Sequence, residues 1–116
     1  MNLDELQAYC TSFPGVVEDI KWGHDLCFCV GGKMFCVTGL SHPVRASLKV
    51  RPEQYAELTE RSGIVPAPYM ARNYWVLVED PDAFTQDEWK KYIAQSYELV
   101  RAKLPKKVQL LLTHNG

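Results

Sequence analysis

The sequence predicts an α+β domain of two layers, an antiparallel sheet of about five strands with N-terminal and C-terminal helices packed on one face. Three observations carry this. Gly31-Gly32 separates two β-rich runs, residues 26–30 and 33–38, and a diglycine between such runs is the signature of a two-residue hairpin whose central residues need positive φ. Val44, Ala46, Leu48 and Val50 alternate with Arg45, Ser47, Lys49 and Arg51, which describes a strand with one apolar and one basic face. Thr85 and Glu88 form a capping box ahead of Trp89, Tyr92, Ile93, Ser96, Tyr97, Val100 and Leu104, one stripe of a long helix that Pro105 ends. Strands joined by hairpins lie antiparallel, and the flanking helical runs then collect on one face.

The remaining elements follow in order. Asn2 and Glu5 cap a first helix over residues 3–12, with Leu3, Leu6, Cys10 and Phe13 at helical spacing, and Phe13-Pro14-Gly15 stops it. An extended segment at residues 16–22 and a turn at Gly23-His24-Asp25 lead into the hairpin, and Ser41-His42-Pro43 turns the chain into the alternating strand. Pro52 opens a short second helix that Ser62-Gly63 closes. Residues 64–68 contain two prolines and read as a loop or an edge, and residues 73–79 as the last strand. One domain over residues 1–107 is expected, with a tail at 108–116 in which Leu110, Leu111 and Leu112 either dock on the body or are disordered.

Thirteen basic against fourteen acidic residues give a net charge of −1, so nucleic-acid or lipid binding needs a local patch rather than a global field. The amino terminus lacks a signal sequence and no apolar run is long enough to span a bilayer, which predicts a cytoplasmic protein with no membrane association. Cys10, Cys27, Cys29 and Cys36 form no CxxC pair and are expected as reduced thiols, with no metal and no cofactor. A two-residue turn pairs Val30 with Lys33, Cys29 with Met34, Phe28 with Phe35 and Cys27 with Cys36, and puts Phe28, Val30, Phe35 and Val37 toward the helices. Mild oxidation is then expected to link Cys27 to Cys36.

No catalytic centre is recognisable. His24 and His42 sit in turns, His114 in the tail, and none belongs to a nucleophile or metalloprotease signature, so the chain is read as a non-enzyme; His24-Asp25 is the one pair to weigh, against the commoner solvated turn. The candidate nucleic-acid residues are Lys33 at the hairpin tip, Arg45, Lys49 and Arg51 on one strand, Arg72 before the last strand, and Trp75 as a stacking platform. The plainer account of the same charges is a soluble sheet face with guarded edges. Trp89, Tyr92 and Tyr97 lie on the core stripe. The competing function is an adaptor for a protein or small ligand, using the open sheet face or the proline-rich loop at residues 66–72.

Several segments resemble one family across nearly the whole chain. They are Leu6-Gln7-Ala8-Tyr9-Cys10 with Pro14-Gly15, Val30-Gly31-Gly32-Lys33-Met34-Phe35, Ser47-Leu48-Lys49, Pro66-Ala67-Pro68-Tyr69-Met70-Ala71-Arg72 with Trp75-Val76, and Ser96-Tyr97-Glu98-Leu99-Val100 with Lys103-Leu104-Pro105-Lys106-Lys107. In their order and spacing they are similar to the MmcQ/YjbR family of small, mostly bacterial proteins. The resemblance implies a fold like that of CyaY, the bacterial frataxin, and the family's description as a DNA-binding protein with a double-wing motif; with the basic residues above, the expectation is a monomer that binds double-stranded DNA weakly and salt-dependently. It does not extend to iron, because the first helix carries only Asp4 and Glu5 in place of an acidic ridge.

Overall fold

The computed structural model describes residues 1–68 and 70–115; Tyr69, Gly116 and the side chains of residues 113–115, His114 among them, lie outside it. The chain runs α1 (Leu3–Thr11), β1 (Val16–Lys21), β2 (Asp25–Val30), β3 (Lys33–Gly39), β4 (Ala46–Lys49), α2 (Pro52–Glu60), β5 (Ile64–Pro66), β6 (Trp75–Val78), α3 (Gln86–Arg101) and α4 (Lys106–Asn115). The strands form one antiparallel sheet in the order β1-β2-β3-β4-β6-β5. Six strands stand where about five were expected, because residues 64–66 pair with β6 as a short edge whose far side needs no ladder donor from Pro66.

The local signals act as chemistry requires. Asn2 and Thr85 accept hydrogen bonds from the amides of Glu5 and Glu88, and each glutamate carboxylate accepts one from the cap residue's backbone N–H. Val44, Ala46, Leu48 and Val50 are buried with Trp89, Ile93, Tyr97 and Val100, whereas Arg45 is exposed and Lys49 half-buried. The polar ends of the large aromatics are satisfied inside this layer. The Trp89 indole N–H donates to the Pro81 carbonyl at 2.9 Å and the Tyr97 hydroxyl to the Pro14 carbonyl at 2.6 Å. Of the stretch that the sequence left open, residues 108–115 belong to helix α4: Val108 and Leu112 pack on the core, while Leu110 and Leu111 are exposed.

The hairpin register departs from the expectation after one step. Val30 pairs with Lys33 and Cys29 with Met34, but then Phe28 pairs with Cys36 and Cys27 with Val37. Phe35 is the extra residue of a β-bulge. Because side chains alternate, one inserted residue exchanges the faces of everything beyond it. Cys36 therefore joins Phe28, Val30 and Phe35 beneath the helices, and Val37 joins Cys27 and Cys29 on the other face. The expected Cys27–Cys36 pair does not exist, and Cys36 lies against Cys10 of α1 instead.

Ser96 explains why the bulge is stable. This fully buried hydroxyl donates to the Phe35 carbonyl at 2.6 Å and accepts from the Lys49 amide at 2.9 Å. Cys36 pairs with Leu48, so Phe35 and Lys49 are the next positions along the β3–β4 ladder, and the serine bridges them where pairing stops. Below this bridge β3 and β4 part.

Candidate functional site

The parting strands open a cavity of about 400 Å³, within the ordinary size of a small-ligand site. Each wall comes from a different element. Lys33 and Met34 lie at the start of β3, Lys49 at the end of β4, and Trp75 at the start of β6, directly across from Lys49. Val100, Lys103, Leu104 and Pro105 close the side at the end of α3, and Met70 and Asn73 come from the loop after β5. A second hydrophobic cluster of Cys27, Cys29, Val37, Ala67 and Trp75, with Met34, Met70 and Leu77 against it, supports the floor on the sheet face away from the helices.

The electrostatics of the cavity are one-sided. Lys33, Lys49 and Lys103 line it without a carboxylate, and none of the ion pairs among the described residues involves them. Lys33 and Lys103 are exposed at the mouth. Burial, and then the neighbouring Lys103 amino group within hydrogen-bonding distance, push the Lys49 amine below its ordinary range. Two cations held together over an apolar floor attract an anion, since an anion removes their mutual repulsion and the floor lowers the local dielectric.

The other expected site residues go elsewhere. Arg45 sits at the opposite end of β4 and pairs with Glu79 at 3.1 Å. Arg51 precedes α2 and borders a separate groove with Glu98 of α3. Arg72 is exposed in the 3-10 turn at Ala71–Asn73. Trp75 is buried, a cavity wall rather than an exposed platform. Of the six, Lys33, Lys49 and Trp75 come together. Lys103, which the sequence reading passed over, completes them; it lies one turn beyond Leu99 and three residues after Val100, and the signal available was its place beside a core position at the helix end.

The remaining candidates are ordinary. His24 and Asp25 approach to 3.9 Å with the imidazole largely in solvent, and His42 is exposed in its turn. Burial pushes the Cys27 thiol up to about 11, and Cys29 is raised by the same cause. The hydrogen-bonded Cys36 thiol, followed by burial, holds Cys10 far above the usual thiol range. No group of histidines, cysteines or carboxylates among the described residues is placed to hold a metal ion. No helix of the described residues is long and apolar enough to cross a membrane.

With this geometry in hand the chain can be set beside known proteins. The YjbR family model matches residues 11–99, most of the chain. The protein belongs to the YjbR family. A solved structure from Deinococcus radiodurans, a protein with a DUF419 domain, is 27% identical, with a TM-score of 0.88 over 97% of this chain and 88% of that one. A Pseudomonas syringae protein shares the fold at 22% identity and a TM-score of 0.69, over 85% of this chain and 98% of that one. No curated protein matches. The resemblance seen in the sequence is thus upheld for the family and for the α+β fold of this YjbR domain.

Proposed function

We propose that this YjbR domain is a non-enzymatic binding module that receives a small anionic ligand with an apolar portion. The observation that carries the reading is the cavity in which Lys33, Lys49 and Lys103 converge, without a carboxylate, over Trp75, Met34 and Met70. The lysines supply the attraction for a carboxylate or phosphate, and the indole and thioethers cover a ring or short chain. This is the small-ligand form of the adaptor reading, and the proline-rich loop contributes to it through Met70 and Asn73.

The test is a titration with benzoate and with phenyl phosphate, followed by calorimetry and by the tryptophan fluorescence of Trp75. Saturable binding that is lost in Lys103→Glu and kept in Arg45→Glu is expected. Binding unaffected by Lys103→Glu, or no binding of either anion at millimolar concentration, overturns the reading.

Duplex DNA ranks second. A phosphate-tracking surface needs neighbouring cations free of carboxylates, and of the exposed basic residues Arg45 pairs with Glu79 and Arg51 shares a groove with Glu98. Steep loss of duplex affinity with added salt, together with loss of binding in the Arg45→Glu, Lys49→Glu double variant, would place DNA first.

A further inference from the structure

We infer that Lys49 is a nucleophilic amine that captures the carbonyl of a small aldehyde or ketone bearing a carboxylate or phosphate, forming a reversible imine inside the cavity. This rests on the anion-binding reading and adds a covalent step to it.

The first support is position. Lys49 is the last residue of β4, its backbone amide donates to the Ser96 hydroxyl and Trp75 stands opposite it on β6, so the side chain leaves a fixed point on the sheet rather than a mobile loop. The second is the company it keeps. The side chain shares the cavity with Val100, Leu104 and Trp75, three buried apolar residues, and its amino group contacts that of Lys103. Two ammonium groups in contact repel, and the pair is relieved when one gives up its proton; desolvation selects the deeper amine. Lys49 is half-buried where Lys103 is exposed, so of the two amines Lys49 is the one that gives up its proton more readily. The other titratable groups that line the cavity are Lys33 and Lys103, and no carboxylate is among them to favour the protonated Lys49 amine.

The step balances without an oxidant or reductant. The Lys49 Nζ lone pair adds to the carbonyl carbon, and the C=O π pair moves to oxygen, which takes up a proton. The carbinolamine then loses its hydroxyl as water while the nitrogen lone pair forms the C=N bond, and addition of water reverses the sequence. The ligand's anionic group pairs meanwhile with the Lys103 and Lys33 ammonium groups, which orients the carbonyl toward Lys49.

The experiment compares benzoate with 4-formylbenzoate, which differs by one formyl group. The full chain is incubated with 4-formylbenzoate and cyanoborohydride, which fixes the imine as a secondary amine, and the label is mapped over the eight lysines by peptide mass spectrometry. Most label is expected on Lys49, with excess benzoate protecting it. Lys49→Arg should lose this label, and Lys103→Gln should slow labelling and weaken benzoate binding, whereas Arg45→Ala, at the far end of β4, should leave both unchanged. Label spread evenly over Lys49, Lys90 and Lys106, with benzoate binding intact, overturns carbonyl capture and leaves the anion site standing. Even labelling with no benzoate binding overturns both.

Discussion

Replacing Ser96 by alanine removes a single oxygen that satisfies two backbone groups at once, the Phe35 carbonyl and the Lys49 amide. A buried polar group left without a partner costs about 1–3 kcal/mol. The bond to the Phe35 carbonyl is buried, so that group bears the full cost, whereas the bond from the Lys49 amide is only part-buried, beside the cavity, where water can reach it. The expected destabilisation is therefore about 2–4 kcal/mol. With an unfolding entropy of about 2.1 cal/mol/K per residue, a chain of 116 residues loses roughly 4 °C of Tm per kcal/mol, so Ser96→Ala should melt about 8–16 °C lower. Thermal unfolding followed by circular dichroism measures this, and hydrogen exchange at the Lys49 amide reports the bond itself. A variant within about 0.5 kcal/mol of the parent, with that amide still protected, would show that β3 and β4 close on each other without the hydroxyl, and would refute the account of the bulge.

Three further outcomes follow. The Glu88 carboxyl is held below its ordinary range, first by the Thr85 backbone amide and then by Arg61, which pairs with it at 2.8 Å; its folded pKa is the lower one, so its contribution is present above the unfolded value near 4.5 and is lost as pH falls through the folded one. Glu88→Gln should cost about 1 kcal/mol at pH 7, and urea melts in acid below both pKa values should bring the two proteins together. Because all four cysteines are buried with three thiols raised, the native protein at pH 8 should resist a thiol reagent that reacts fully in urea, with Cys29 the fastest; rapid native reaction at Cys10 would contradict the observed packing. Arg45→Ala, which breaks only an exposed pair with Glu79, should change stability by less than about 1 kcal/mol in chemical denaturation, and a larger loss would assign Arg45 a structural role that the contact does not supply.

Most of the fold was legible because its signals are local. Gly31-Gly32, the alternation from Val44 to Val50 and the Thr85 box each specify geometry within a few residues. The bulge was not, because the group that stabilises it is the hydroxyl of Ser96, sixty-one residues from Phe35 by chain separation and recognisable in sequence only as one more small residue on a helix stripe. The site was half legible for a related reason. Alternation tells which face a side chain takes but not which end of the sheet it reaches: at about 3.3 Å per residue, Arg45 and Lys49 start some 13 Å apart on the same face. One consequently meets Glu79 and the other Lys103. Lys103 escaped notice because its helix had already been assigned to the core, and its approach to β4 depends on where α3 ends over the sheet.

The two glycines of the hairpin answer to different constraints, although both have positive φ and the turn treats them alike. At Gly32, with φ +79, a β-carbon would meet nothing within 4 Å, so the only barrier is conformational and asparagine or aspartate satisfies it. At Gly31, with φ +57, the same atom would lie 2.6 Å from a Leu104 methyl group, at the point where α3 hands over to the cavity wall. Sequence drift in this turn should therefore be lopsided. Position 32 can exchange glycine for asparagine by itself, whereas a side chain at position 31 also requires the Leu104 methyl groups to move aside, which couples two sites more than seventy residues apart.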